Sequence, residues 1–124
     1  MAGHRHSILL IEDDADAREP LEEILRQEEV TVIVADNGAE AHEHLRGGAR
    51  PCVIVLDLLM PGMDGSEFRA EQMRDPALAR IPVIVLSGDD RIDEKALQLG
   101  IEEYLRKPVD VGQLMMAIDA HCER

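Results

Sequence analysis

Cys52-Val53-Ile54-Val55-Leu56-Asp57 decides the fold class, because an unbroken apolar run ends there on a single carboxylate. A run that is apolar at nearly every position predicts a central strand covered on both faces of a parallel sheet. The run from Ile81 to Leu86 has the same character. An acid that closes such a strand needs a partner, and a cation is the natural one. Asp57 is therefore the first candidate for a functional residue.

Similar short runs recur along the chain, at Ile8–Ile11, Val30–Ala35 and about Glu103–Leu105. Amphipathic segments of helical length separate them. This alternation predicts βα units on a parallel sheet, and hence an α/β fold with five strands and five helices. No linker, internal repeat or low-complexity stretch interrupts residues 1–124, which are predicted to form one domain.

Three helices carry boundary signals. Asn37 with Glu40 is typical of a capping box at a helix start. Gly100 is suited to a left-handed cap after the helix that contains Ile92, Ala96 and Leu99. Asp110 with Gln113 predicts the start of the last helix, whose apolar stripe comprises Val111, Leu114, Met115, Ile118 and Cys122.

Two helices are less well specified. Pro20 lies early in the first, which predicts a late start or a kink there. The third helix, from Ser66 to about Arg74, has only Phe68 and Met73 as large apolar anchors. In the last helix, Met115 and Met116 are interpreted as core-filling residues rather than as part of a cofactor site.

Composition narrows the function. The chain has 124 residues, of which 45% are hydrophobic, as in an ordinary globular domain. Thirteen basic and 26 acidic residues give a net charge of −13, which argues against a broad nucleic-acid-binding face. No signal-peptide or membrane-spanning stretch is visible, so a cytoplasmic location is expected, without direct contact with a membrane.

The cysteines and histidines suggest no metal centre. Cys52, in a predicted buried strand, and Cys122 are interpreted as free thiols in a reducing compartment. His42 and His44 are two apart on a helix and cannot face one metal together. All five histidines are predicted to lie at the surface: His4, His6, His42, His44 and His121.

Polar residues follow four of the predicted strands. Glu12, Asp13 and Asp14 follow the first, Asp57 the third, Ser87 the fourth and Lys107 the fifth. In an open parallel sheet these ends meet at the functional crevice. Taken singly, the acids read as a solvated loop or cap, the serine as a helix cap and the Lys-Pro pair as a turn. Taken together, they predict a site for an acceptor aspartate.

Magnesium is the cofactor that such a site predicts, because this cation prefers oxygen ligands and phosphate oxygens. Asp13 and Asp57 would supply carboxylates, a carbonyl just beyond Asp57 a third oxygen, and Glu12 would act through water. Lys107 would stabilise charge on a transferring phosphoryl group. Ser87 would donate to a phosphoryl oxygen.

These motifs resemble those of the receiver domain of two-component response regulators, especially single-domain receivers of the chemotaxis type. The resemblance covers nearly the whole chain. It is carried by Ile-Leu-Leu-Ile-Glu12-Asp13-Asp14, Val-Leu-Asp57-Leu-Leu-Met-Pro-Gly-Met-Asp-Gly, Ile-Pro-Val-Ile-Val-Leu-Ser87-Gly and Tyr104-Leu-Arg-Lys107-Pro108. It implies a flavodoxin-like (βα)5 fold, doubly wound, with strand order 2-1-3-4-5.

The resemblance also implies roles. Asp57 would accept a phosphoryl group from a sensor histidine kinase or a histidine phosphotransfer protein. Glu12 and Asp13 match the metal-binding acids, and the Leu59 carbonyl matches the main-chain ligand. Ser87 matches the hydroxyl switch residue, Tyr104 the rotating aromatic residue, and Lys107 the phosphate-binding lysine. The family usually has a cis peptide before the proline that corresponds to Pro108.

The implied output is a changed protein contact. Phosphorylation would repack the surface of the fourth predicted helix, the fifth strand and the fifth predicted helix, including Ile92, Lys95, Tyr104 and Arg106, and so alter binding of a downstream protein target. Catalysis would extend only to self-phosphorylation and slow self-dephosphorylation.

Three other functions fit parts of this residue pattern. A constitutive, phosphorylation-independent binding module remains the main alternative. A phosphatase-like hydrolase lacks a second acid two residues after Asp57, where Leu59 stands, and a flavin site lacks a phosphate-binding loop. The sequence leaves open the kinase, the target, the oligomeric state, and whether the chain is a stand-alone protein or an excised receiver.

Overall fold

The computed structural model describes residues 6–12, 15–58, 66–88, 91–101 and 103–122. Within these residues, five strands alternate with six helices. In chain order, the elements are β1 (Ser7–Ile11), α1 (Ala15–Gln27), β2 (Thr31–Ala35), α2 (Gly38–Arg46), β3 (Val53–Leu58), α3 (Ser66–Arg74), α4 (Pro76–Ala79), β4 (Val83–Ser87), α5 (Ile92–Leu99), β5 (Glu103–Arg106) and α6 (Val111–Cys122).

All five strands form one parallel sheet in the order β2-β1-β3-β4-β5. The predicted α/β class and strand order are thus confirmed. The central strands β3 and β4 are apolar up to Asp57 and Ser87 near their ends because both of their faces are covered, and every residue of β4 is buried. Among the helices described, none combines the length and the apolar character needed to span a bilayer.

The two faces of the sheet carry separate cores. On one face, alternate strand residues such as Leu9 and Ile54 pack with buried residues of α2, α3 and α5. On the other face, the intervening residues, such as Leu10 and Val55, pack with α1 and α6. Strand side chains alternate between faces, so each central strand contributes to both cores. This arrangement leaves the loops at the carboxyl edge of the sheet to carry the polar residues.

The predicted helix boundaries are confirmed where a cap marked them. The Asn37 side chain accepts a hydrogen bond of 2.8 Å from the Glu40 backbone N–H. Gly100 has a left-handed φ of 72°, which a glycine adopts without a Cβ penalty. Asp110 Oδ1 accepts a bond of 3.0 Å from the Gln113 N–H and begins α6.

The predicted number of five helices was wrong. The segment after α3 forms a sixth, four-residue helix, α4, with Asp75 as its cap and Pro76 at its first turn. A proline is tolerated there because the first backbone N–H groups of a helix have no internal partner. Of the two alternatives predicted for α1, a late start or a kink at Pro20, the late start is wrong, since the helix begins at Ala15 and contains Pro20.

Several predicted side-chain positions also need correction. Met73 is 49% exposed and Met116 74% exposed, so neither fills the core. The α3 position that is fully buried is Gln72 instead. Its amide donates to the carbonyls of Leu78 at 2.8 Å and Ile81 at 3.1 Å. Gln72 thereby joins α3 to α4 and to the segment that follows α4.

The histidine prediction fails for His42, which is only 3% exposed. Its ring packs on Phe68 with centroids 4.9 Å apart, and Nε2 lies 3.3 Å from the Phe68 carbonyl oxygen. His6, His44 and His121 are half-buried rather than fully at the surface, and His4 lies outside the described residues. Cys52 precedes β3 and is half-buried, whereas Cys122 is buried and both thiols are free.

Candidate functional site

Two buried acids stand side by side at the carboxyl edge of the sheet. Glu12 follows β1, and Asp57 lies near the end of β3. The two strands pair in parallel with Ile11 beside Leu56, so the acids occupy adjacent positions. Glu12 is fully buried and Asp57 is 3% exposed. Strand order reverses between β1 and β3, which is where open α/β sheets bind ligands.

Lys107 supplies the positive charge at these acids. Its Nζ lies 2.5 Å from Asp57 Oδ1. Its backbone N–H donates to the Ser87 carbonyl at 2.9 Å, which continues the pairing of β4 with β5 beyond Arg106. The Lys107-Pro108 peptide is cis, as the resemblance implied. The ammonium group of Lys107, which follows β5, therefore reaches the Asp57 carboxylate on β3 across the intervening strand β4.

Ser87 ends β4 at the same edge. It pairs in register with Leu58 of β3 and Arg106 of β5, one residue beyond the pair formed by Asp57 and Leu86. Ser87 is 2% exposed. The next residue, Gly88, is exposed, and a Cβ built on it would lie 3.8 Å from Lys107 Cβ. Ser87, which carries a hydroxyl group, thus ends β4. This strand lies between β3, which contains Asp57, and β5, which Lys107 follows.

A small pocket of about 210 Å³ opens beside the ion pair. Asp57 and Lys107 form its polar end. The remainder is apolar and comes from α1, from the segment after β5 and from the first residue of α6, namely Leu21, Ile24, Pro108, Val109 and Val111. Because the pocket that leads to the Asp57 carboxylate is mostly apolar, it favours contact with a protein side chain or an organic group over contact with water.

Arg18 of α1 is a residue at this edge that sequence reasoning missed. Its guanidinium donates to the Glu12 carbonyl oxygen at 3.1 Å and also contacts the carboxylate of Asp36. It therefore links α1 to the ends of β1 and β2. No motif distinguishes Arg18 from other charged residues of a solvated helix face, and only the packing of α1 reveals it.

The described donors fit a magnesium ion. Glu12 and Asp57 are carboxylates at adjacent strand ends, and hard oxygen ligands are what this cation prefers. Asp13 and Leu59, the other predicted ligands, lie outside the described residues, as does Asp14. Within the described part of the chain, no trio of His, Cys, Asp or Glu side chains is arranged to hold a metal. Any complete site would thus need the loop that follows β1 or β3.

The family model of the response regulator receiver domain matches residues 8–119. The chain belongs to this family. Receiver domains are phospho-accepting modules of two-component signal transduction, and the resemblance drawn from the sequence motifs is confirmed at this level. The family places these residues in a signalling protein, while the role of each one is a separate question.

Named relatives of this chain also support its assignment to the receiver family. The sensory transduction protein RegX3 of Mycobacterium bovis and Mycobacterium tuberculosis is 37% identical over 122 residues, which is 95% of this chain. The chain spans about half the length of that relative, 51%. The other half of RegX3 lies outside the alignment with this chain.

Solved structures resemble the fold closely. The signal receiver domain of a histidine kinase from Syntrophus aciditrophicus is 31% identical, with a TM-score of 0.80, over 95% of this chain and 90% of that one. The receiver domain of sensor histidine kinase PA1611 from Pseudomonas aeruginosa PAO1 is 25% identical, with a TM-score of 0.82, over 97% and 99% of the two chains. That structure holds a magnesium ion in its active site cleft.

The predicted output surface of the receiver is only partly as expected. Tyr104 lies on the edge strand β5 and is 38% exposed, and Arg106 is exposed as well. Ile92 is fully buried in the core, so its predicted place on the surface is wrong. It begins α5 and points inward because the helix needs an apolar anchor at its first turn. The side chain of Lys95 lies outside the described part.

Proposed function

We propose that Asp57 of this receiver accepts a phosphoryl group from a phosphohistidine of a sensor histidine kinase or a histidine phosphotransfer protein. The observation that carries the proposal is the 2.5 Å contact of Lys107 Nζ with Asp57 Oδ1 at a buried strand end beside Glu12. A carboxylate oxygen would attack phosphorus, the P–N bond would break as the P–O bond forms, and the imidazole would leave with the electron pair. The product is an acyl phosphate on Asp57.

Positioning and electrostatics carry such a transfer, because the reacting phosphoryl group is highly charged. Lys107 would stabilise negative charge on its oxygens. Ser87 would donate to one of them from the end of β4. Magnesium, held by Asp57, Asp13 and the Leu59 carbonyl with Glu12 through water, would screen repulsion between the acids and the phosphoryl group. Catalysis would be limited to this self-phosphorylation and to slow self-dephosphorylation.

The partner that delivers the phosphoryl group would dock over the apolar pocket beside the ion pair. That pocket contains Leu21 and Ile24 of α1 and reaches Asp57 itself. An apolar helix face on the donor would bury these side chains and align its histidine with the carboxylate. Burial of such a patch gives affinity, while the charges around it orient the encounter.

The output would be a change in the surface formed by α5, β5 and α6. A phosphoryl group adds charge and acceptor oxygens at Asp57, which would draw the Ser87 hydroxyl toward it. Tyr104, half-exposed on β5, would turn into the space released. A downstream protein that distinguishes the two arrangements would then bind one of them more tightly. Residues 1–124 would act as one receiver domain, without direct contact with nucleic acid.

Intact-mass measurement after incubation with a small phosphoryl donor tests this function. The wild type should gain one phosphate in the presence of Mg²⁺ and none without it. Asp57→Asn should gain none, whereas Asp36→Asn should behave as the wild type. Asp36 is a matched control because it also follows a strand, β2, at the same edge but is exposed. Absence of the adduct in a wild type shown to bind Mg²⁺ would favour a constitutive binding module.

A further inference from the structure

A second pocket, of about 300 Å³, opens at the edge of the sheet opposite to Asp57. It lies where β4 and β5 begin, between the segment 79–83, the end of α5 and the end of α6. We call it the basal pocket. Its volume is at the lower end of the range found for small-molecule sites, roughly 300–1,000 Å³. Neither the phosphoryl site nor the proposed output surface accounts for it.

One wall of the basal pocket holds a fixed guanidinium group, that of Arg69. This group donates to Gln72 Oε1 at 2.8 Å and to the Gly100 carbonyl at 3.1 Å. Burial lowers the pKa of Arg69 by desolvation. A positive charge that has lost part of its hydration gains from a nearby anion. Since Gln72 is itself buried and bonded to two carbonyls, Arg69 is held in place rather than free to leave.

A second guanidinium group, that of Arg80, is available for a ligand. Arg80 follows α4 and is exposed, and within the described residues its side chain has no ion pair or hydrogen bond. The carboxylate of Glu103 is also in the pocket, where it contacts His121 Nε2. Among the described residues that line the pocket, there are two arginines and one acid, in a chain whose net charge is −13. The basal pocket is locally basic, which is unusual for this molecule.

Much of the remaining lining is apolar and buried. Ile81, Val83 and Ile101 are 8%, 6% and 6% exposed, and they belong to the core on the face of α2, α3 and α5. Pro82 lies between two of them. A ligand in this pocket would thus contact buried hydrocarbon side chains on one side and guanidinium groups on the other. Such a surface distinguishes an organic anion from a simple inorganic one.

We propose that the basal pocket binds a small organic anion, with a carboxylate or phosphate group on Arg80 and Arg69 and an apolar group against Ile81 and Ile101. Guanidinium groups match both oxyanions in two-point geometry. The carboxylate of Glu103 opposes the anion and limits its affinity. Binding would occur at the opposite end of the strands from Asp57, so it does not depend on phosphoryl transfer.

Amide NMR titration of the unphosphorylated, Mg²⁺-free protein with benzoate and phenyl phosphate tests the proposal. We expect saturable shifts centred on residues 79–83 and 100–103. Benzamide, the uncharged analogue of benzoate, and inorganic phosphate, which lacks the apolar group, should bind much more weakly. Whichever of benzoate and phenyl phosphate binds more tightly identifies the preferred head group.

Three variants separate this site from general anion binding. Arg80→Gln should weaken binding about tenfold or more, since a charge-assisted hydrogen bond is lost. Arg74→Gln, an exposed arginine outside the pocket, should leave it unchanged. Glu103→Gln should tighten binding because the opposing carboxylate is removed. Shifts that do not saturate, that centre elsewhere, or that persist unchanged in Arg80→Gln would overturn the proposal.

Discussion

Lys107 Nζ lies 2.5 Å from Asp57 Oδ1, and the Asp57 side chain is only 4% exposed while that of Lys107 is 24% exposed. The pair links the ends of β3 and β5, which are separated in the sheet by β4. A carboxylate this buried depends on its cation, because the interior solvates charge poorly. The Lys107 ammonium group, which would stabilise a phosphoryl group on Asp57, thus also stabilises the folded state of the unphosphorylated protein.

Lys107→Met should lower the free energy of unfolding by about 2 kcal/mol, because it leaves the Asp57 carboxylate buried without its cation. The double variant Asp57→Asn with Lys107→Met should lose less than the sum of the single variants. Urea denaturation in EDTA measures all three, with Arg74→Met as a surface control. Additive losses in the double variant would show that the pair contributes no coupling energy.

Magnesium should stabilise the folded protein against urea. The Asp57 and Glu12 carboxylates are ordered only in the native state, so a cation that binds them favours it, by about 2.7 kcal/mol at one hundred times its Kd. Asp57→Asn should abolish the increase, and Asp36→Asn should keep it. The measurement is the urea midpoint at increasing Mg²⁺. An equal increase in Asp57→Asn would place the bound ion elsewhere.

Gln72→Leu should destabilise the protein by about 2 kcal/mol, because the Ile81 carbonyl loses its side-chain donor while the side-chain volume is nearly kept. The Leu78 carbonyl also loses the Gln72 amide but still accepts from the Ile81 N–H at 3.1 Å. Gln98→Leu, at an exposed position of α5, is the matched control and should change stability by less than about 0.5 kcal/mol. Thermal or urea unfolding compares the two. A neutral Gln72→Leu would mean that α4 relaxes and exposes those carbonyls to water.

Alkaline stability should depend on Cys122. Its burial, followed by its hydrogen bond and charge interaction with Cys52, raises the pKa of the Cys122 thiol from 9.0 to about 12. The folded state therefore favours the neutral thiol more than the unfolded state does. The resulting stabilisation is complete below pH 9, declines once the unfolded thiolate begins to form, and is lost as the pH rises through about 12.

Unfolding free energies of wild type and Cys122→Ala, measured from pH 8 to pH 12, check this dependence. The difference between the two proteins should shrink as the pH rises, because Cys122→Ala removes only the contribution of the Cys122 thiol. Cys52→Ala should reduce the effect partially, because it removes one of the causes. A difference that stays constant with pH would contradict a raised pKa at Cys122.

Much of the fold was accessible from the sequence because local patterns determine it. The apolar runs before Asp57 and Ser87 predicted central parallel strands, and the cap residues Asn37, Gly100 and Asp110 predicted helix boundaries. Each of these signals acts over a few residues, through backbone hydrogen bonds or through burial of a single strand. The strand order was predicted from the family resemblance, because local sequence patterns do not indicate which strands are neighbours in the sheet.

The errors share a physical cause. Met73 and Met116 are apolar yet exposed, while His42 and Gln72 are polar yet buried. Hydrophobicity alone cannot predict such exchanges, because a buried polar group is acceptable once another element supplies its hydrogen-bond partner. Phe68 supplies one for His42, and the carbonyls after α3 supply those for Gln72. The partners lie elsewhere in the chain.

By itself, the sequence determined the chemistry available at the edge of the sheet, since Glu12, Asp57, Ser87 and Lys107 each lie at or just beyond the end of a strand. Only the tertiary structure decided which of them meet. The parallel register of β1 with β3 sets the two acids side by side, and the continuation of β5 beyond Arg106 brings Lys107 to Asp57. The basal pocket, whose lining comes from five separate elements and their loops, has no signature in the sequence at all. Contacts between distant segments arise from packing, which no local pattern encodes.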